Sequence, residues 1–172
     1  MIAKRIALVG ASSTGKTTAY ELLKAKVPEY VFINESTRTV KKYGFPINEQ
    51  GTDGTQLAIS SFHLKALLQP YSLILDRCYM DLVVYTNHVK VSHPTYTFIE
   101  DMWEQVKEEY THYVYFPIEF EPVNDGIRSV DIKWRNSIDL SFQDCLADVS
   151  AKKLTVTGSP MQRVEQILDF IK

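Results

Sequence analysis

Gly10-Ala11-Ser12-Ser13-Thr14-Gly15-Lys16-Thr17 decides the fold class of this 172-residue chain. The segment places Gly10, Gly15, Lys16 and Thr17 at the spacing GxxxxGK[ST]. An apolar run, Arg5-Ile6-Ala7-Leu8-Val9, precedes it, and a stretch that reads as a helix over 17–26 follows. Strand, loop and helix in that order are the context that gives the pattern its meaning. Small residues at Gly10, Ser12, Ser13, Thr14 and Gly15 let the backbone curl until successive amides point inward at a phosphate. The start of the helix adds its partial positive charge. Lys16 is then placed to reach the β- and γ-phosphates and the Thr17 hydroxyl to bind Mg²⁺, with Thr18 following in the first turn. The expectation is a phosphate-binding loop for ATP and Mg²⁺. A glycine-rich turn with a solvated lysine is the bland alternative.

Outward from the loop, strand-like and helix-like segments alternate. Apolar runs at 30–33, 72–75, 112–116 and 154–157 read as further strands. Between them, helices are expected at 55–68, with Asp53 as a cap, through Tyr85, at about 95–110, at 131–149 and from Pro160 onward. A short helix capped by Ser36 should end near Gly44. The strands are unbroken apolar runs rather than alternating patterns, which is the mark of a parallel sheet covered on both faces. The predicted architecture is a three-layer α/β/α fold with a mainly parallel five-stranded sheet, forming one domain over 1–172.

Bulk composition excludes several classes. Hydrophobic residues make up 45% and charged residues 23%, as in ordinary globular proteins. A formal net charge of -2 gives no sign of a nucleic-acid or membrane surface. No stretch approaches the roughly 20 apolar residues that span a bilayer, and the N-terminus carries no apolar signal region. Cys78 and Cys145 lie far apart and form no metal or redox pair. A cytoplasmic protein is expected, and monomer and homodimer stay open.

Four groups beyond the loop are candidates for chemistry. Leu73-Ile74-Leu75-Asp76-Arg77 delivers an acid to the carboxyl edge of the sheet, where open α/β sheets bind ligands. Asp76 can hold Mg²⁺ or orient an acceptor hydroxyl, or merely cap the next helix. Glu35, just past the second strand, should reach the same edge and can take a proton from an acceptor. Arg38 is suited to clamp a phosphate, although a surface Glu–Arg pair three residues apart reads equally well. Tyr79 is one of several aromatic side chains between 43 and 110 that can stack on a base, and their spacing selects no acceptor.

Taken together, Gly10 to Thr18, Glu35-x-x-Arg38, Asp76-Arg77 and Asp125-Gly126-Ile127-Arg128-Ser129 resemble the P-loop kinases related to ribosylnicotinamide kinase. That group lies within the wider nucleoside and nucleotide kinase fold and includes many phage nucleotide-kinase-like proteins. The resemblance covers nearly the whole chain. It implies a small lid over about 119–135, in which Arg128, with Arg135, closes over the ATP phosphates. Asp76-Arg77 also looks like the strand-end pair of thymidylate and deoxynucleoside kinases, in which the arginine helps hold acceptor or phosphates. The Glu-Pro-Gly-Gly type loop of thymidylate kinases is replaced here by Asn34-Glu35-Ser36-Thr37-Arg38, which favours the ribosylnicotinamide branch.

The implied activity is ATP- and Mg²⁺-dependent transfer of the γ-phosphate to a small-molecule acceptor, a deoxynucleoside monophosphate or a nucleoside-like compound. Lys16, Asp76, Glu35 and Arg128 are then the catalytic set, and Glu35, Arg38, Arg77 and Tyr79 the acceptor set. Ribosylnicotinamide phosphorylation, a phage-type kinase for a DNA base or polynucleotide, and an ATPase or nucleotide switch without a small acceptor remain as alternatives. Near-neutral charge disfavours the nucleic-acid substrate.

Overall fold

The computed structural model describes residues 3–122 and 131–172. Five strands, β1 (Arg5–Val9), β2 (Val31–Ile33), β3 (Leu73–Asp76), β4 (His112–Tyr115) and β5 (Lys152–Thr155), form one parallel sheet in the order β2-β3-β1-β4-β5. Seven α-helices connect them among the described residues: α1 (Lys16–Lys24), α2 (Thr37–Lys42), α3 (Asp53–Leu67), α4 (Tyr79–Thr86), α5 (His93–Val106), α6 (Ile132–Ala147) and α7 (Pro160–Phe170).

Both sheet faces are buried, which explains the unbroken apolar runs. Ile6, Leu8, Ile74 and Val114 point to one side, where Ala19, Tyr20 and Leu23 of α1 and Val164 and Ile167 of α7 cover them. Ala7, Val9, Leu73, Leu75 and Tyr113 point to the other, against α4, α5 and α6 through Val83, Ile99, Trp103, Ile138 and Phe142. Side chains alternate across a strand, so a two-sided core demands apolar residues at every position.

Strand register then sets the chemistry. Leu8 lies beside Asp76, so the acid ends level with the start of the phosphate loop. Ile33 lies beside Leu75, so Glu35 and Arg77, each two residues further on, leave the sheet together.

Three local expectations are corrected. The last strand begins at Lys152 rather than Leu154, because Lys152 and Lys153 sit on an edge strand, where charged residues are tolerated. There Lys153 Nζ donates to Leu146 O (3.0 Å) and Val149 O (2.9 Å) at the end of α6. Thr52, not Asp53, caps α3. The Asp53 carboxylate instead accepts from Ser92 N (2.7 Å) and Ser92 Oγ (3.0 Å). Ser36 precedes α2 without a side-chain cap bond.

Gly10 tolerates no side chain. It adopts φ +134°, and a Cβ there would lie 2.5 Å from Phe116 O, a backbone atom that cannot swing aside. Gly10→Ala is expected to destabilise the protein by about 2–4 kcal/mol through backbone strain and overpacking. The check is urea denaturation, and an unchanged midpoint would contradict this account.

Candidate active site

The turn between β1 and α1 winds through left-handed conformations at Gly10 (φ +134°), Ser13 (φ 56°) and Gly15 (φ 88°). Such reversals aim successive amides into one concavity. Gly15 precedes α1 and has no side chain with which to cap it, so the first-turn amides stay available to an anion. Lys16 folds back over the loop and donates to Gly10 O (2.7 Å), Ala11 O (2.5 Å) and Thr14 Oγ1 (3.1 Å). Burial, and then the Arg77 charge, lower its pKa to about 7. A bound anion would restore the ammonium form.

Two arginines brace the loop. Arg135 on α6 donates from Nε to Ser12 O (2.9 Å) and from a terminal nitrogen to Ser13 O (3.2 Å). It thus holds the carbonyls outward rather than facing the cavity. Arg163 on α7 donates to Thr14 O and to Gly158 O (2.9 Å) and pairs with Glu119. Its guanidinium also stands 4.9 Å from the Phe120 ring, within the range for cation–π attraction.

The phosphate loop floors one cavity, lined by Ser13 through Thr18, Asp76, Arg77, Phe120, Glu121, Pro160 and Arg163. At its inner end the Thr17 hydroxyl donates to Asp76 Oδ2 (2.9 Å). Asp76 Oδ1 is buried with no protein partner. A hydroxyl and a carboxylate with an uncommitted buried oxygen make a hard-oxygen donor set that fits Mg²⁺.

A second cavity adjoins the first, and Arg77 lines both. Its walls include Ser12, Glu35, Gln56, His63, Asp81 and Tyr85, with Ile47, Ile59 and Leu82. Arg77 sits at φ 77°, a conformation that a non-glycine residue keeps only when its surroundings hold it there. Three neighbours do so. Arg77 Nε donates to Glu35 Oε1 (2.7 Å), a terminal nitrogen donates to Asp81 Oδ1 (3.1 Å), and the Tyr85 ring centroid lies 5.2 Å away. The Arg77 and Glu35 side chains are only 9% and 8% exposed. Burial disfavours the Arg77 charge, yet Tyr85, Glu35 and Asp81 more than offset it and raise its pKa. Burial raises Asp81 to about 6 against the opposing pull of Arg77. Burial, with Arg77 second, lowers His63 to about 3, so that imidazole is neutral.

The structure therefore gathers Lys16, Thr17, Thr18, Asp76, Glu35 and Arg77 at one edge. Arg38 lies half-exposed at the rim, 3.7 Å from Glu35 Oε2. Tyr79 stands apart: it is fully buried, bonded through its hydroxyl to Ser60 (3.0 Å), and lines neither cavity. Its place as the first residue of α4 turns it into the core instead of the pocket. Arg128, with the rest of 123–130 in the expected lid, falls outside the described residues.

Sequence reading overlooked Arg163, Asp81 and Gln56. Arg163 carried a signal, a cation four residues before Ile167 on the buried stripe of α7. Asp81 carried another, since it closes a capping box on Cys78. Gln56 carried none.

Residues 5–163 match a family model described as an AAA domain, and the chain belongs to that family. Its fold is that of the P-loop nucleoside and nucleotide kinases. A deoxyadenosine kinase from M. mycoides with dCMP and dCDP superposes with a TM-score of 0.72 at 15% identity, covering 97% of each chain. The NadR protein in complex with NAD and AMP-PNP gives 0.75 at 13% identity over 98% of this chain, which spans 49% of NadR. Thymidylate kinase from Candida albicans gives 0.71 at 16% identity, over 98% of this chain and 91% of the other. No curated protein sequence matches. Among the described residues, no helix is long and apolar enough to cross a membrane.

Proposed function

We propose that the protein transfers the γ-phosphate of ATP to a nucleoside or nucleotide acceptor in an Mg²⁺-dependent reaction. The observation that carries this reading is the pair of adjoining cavities, one floored by the phosphate loop and one lined by Glu35, with Arg77 lining both. A hydrolase or switch needs the first cavity only; a transferase needs both. The solved structures similar in fold, described as deoxyadenosine and thymidylate kinases, support the same reading.

Phosphoryl transfer asks little covalent work of a protein, and positioning and electrostatics supply most of the acceleration. Gly10 to Gly15 hold the phosphate chain on backbone amides. Lys16 leaves its loop carbonyls for the phosphates and stabilises charge on the transferring group. Thr17 and Asp76 would hold Mg²⁺, which when bound neutralises phosphate charge. Glu35 takes the proton of the acceptor, and Arg77 fixes the orientation of Glu35 through the 2.7 Å bond. Asp76 faces the phosphate cavity, so its role is with the metal and not as the base. Arg38 and Arg128 add positive charge from the rim and the lid, and Arg135 keeps the loop in its binding shape.

The test is ADP release from ATP and Mg²⁺ across a panel of nucleosides, nucleoside monophosphates and nicotinamide riboside. At least one acceptor should raise the rate about 100-fold or more above the acceptor-free rate, a modest part of what proximity supplies. EDTA should return it to background. A slow rate indifferent to every acceptor would mean an ATPase or switch.

A further inference from the structure

We infer that Arg163 is a positioning residue for the donor nucleotide: its buried guanidinium sets the phosphate loop, the turn before α7 and the Phe120 wall in a single arrangement. This rests on the kinase reading above only in taking a triphosphate as the ligand of the first cavity.

The carbonyls of the phosphate loop carry the argument. Gly10 O and Ala11 O accept from Lys16, Ser12 O and Ser13 O from Arg135, and Thr14 O from Arg163. The C=O and N–H of one planar peptide unit point in opposite directions, so holding Thr14 O fixes where the Gly15 N–H aims. When Lys16 turns to the phosphates, Arg135 and Arg163 are the cations left on these carbonyls among the described residues. Arg163 also reaches beyond the loop. Its Nε donates to Gly158 O (2.9 Å), and a terminal nitrogen pairs with Glu119, whose Oε2 also accepts from Gly158 N (3.2 Å). The guanidinium stands 4.9 Å from the Phe120 ring and 5.6 Å from the Phe116 ring. A Cβ on Gly15 would lie 3.2 Å from the nitrogen that bonds Thr14 O, so the fork is seated directly against the loop.

Stability alone is a poor account of such a group. Arg163 is 1% exposed, on a helix whose other buried residues, Val164 and Ile167, are apolar. A charge taken out of water loses hydration that an ion pair returns only in part, and an apolar residue of similar size commonly serves stability as well. An apolar side chain cannot hold two carbonyls and a carboxylate at fixed angles, whereas a planar fork can. The start of α7 delivers that fork in a set register. Ser159 caps the helix by accepting from Gln162 N, and Ser159 N donates back to Gln162 Oε1 (2.9 Å). Arg163 and Phe120 line the first cavity and not the second, so the effect of Arg163 belongs to the donor and not to the acceptor.

The experiment measures Kd for ATP and for inorganic tripolyphosphate, each with Mg²⁺, by calorimetry well below the melting temperature, with transfer kinetics alongside. Tripolyphosphate reads the phosphate loop alone, and ATP reads the loop together with the Phe120 wall. Arg163→Gln should weaken both about 10–100-fold, the range for hydrogen bonds to a charged group. KM for ATP should rise to match, while KM for the acceptor holds. Glu119→Gln leaves the Arg163 bond to Thr14 O and should weaken ATP about 10-fold, and tripolyphosphate less. In the double variant the loss should fall short of the product of the single losses, since the two residues act through one contact. Folded variants that melt earlier yet bind both probes as the wild type does would overturn the inference and leave Arg163 a core residue. A rise in KM for ATP and acceptor together would overturn it as well. If Arg163→Gln fails to fold, Arg163→Lys decides: it keeps the charge but loses the fork, and unchanged ATP affinity there would be fatal. Arg163-dependent binding without transfer to any acceptor would uphold this inference while ending the kinase reading. Transfer by the wild type with unchanged ATP affinity in Arg163→Gln would do the reverse.

Discussion

Lys16→Ala should lower phosphoryl transfer by about 10³-fold or more, the scale seen when a preorganised charge is removed from a transition state. In the free protein the Lys16 ammonium hangs on Gly10 O, Ala11 O and Thr14 Oγ1 at 2.5–3.1 Å. It is buried, and burial lowers its pKa to about 7. A bound phosphate chain would favour its ammonium form. Removing Lys16 leaves the sheet and both cores untouched, so the melting temperature of the nucleotide-free variant should stay within about 5 °C of the wild type. The stabilisation that ATP confers should shrink, because a ligand stabilises in proportion to the logarithm of its concentration over Kd. Thermal shift with and without ATP, alongside the transfer assay, separates the two effects. A folded variant with undiminished transfer would remove Lys16 from the mechanism.

Glu35→Gln is the second large effect. If Glu35 takes the acceptor proton, its amide should lower kcat by about 10²–10⁴-fold, the usual contribution of a positioned base. KM for ATP should barely change, because Glu35 lines the acceptor cavity and not the phosphate cavity. The amide oxygen can still accept from Arg77 Nε, so the geometry of Arg77 and Asp81 should persist, held by the 3.1 Å bond between them. Steady-state kinetics provide the check. Should Glu35→Gln keep full kcat, the base would have to be sought elsewhere, and Asp76 would be the next to replace.

Both arguments lean on features that were legible at very different levels. GxxxxGK[ST] between an apolar run and a helical stretch was legible outright, because the chemistry is local. Left-handed turns, inward amides and a lysine at the helix start all come from one continuous segment. The central strands β1, β3 and β4 were legible for a related reason, since burial on both faces keeps them mainly apolar, and β2, partly exposed at an edge, was legible from its β-branched and aromatic residues. The fifth was read late, as its lysines lie on an edge that tolerates them.

The local sequence thus determined the phosphate loop, the order of strands and helices, and the delivery of Asp76 and Glu35 to one sheet edge. Only the tertiary structure decided their partners. Glu35 and Arg77 are 42 residues apart, and they meet because β2 and β3 are hydrogen-bonded in a register that ends both strands together. Arg163 reaches Thr14 across 149 residues because α7 packs beside α1 on one face of the sheet. Tyr79 had the right chemistry to stack on a base, but the start of α4 points it at Ser60 in the core. Gln56 had no pattern that marked it and Asp81 only that of a helix cap, and both line a pocket because α3 packs against α4 there. The physical reason is common to all four. Pattern along a chain reports which face of an element is buried, whereas the neighbour that a buried polar group finds depends on packing between elements distant in sequence.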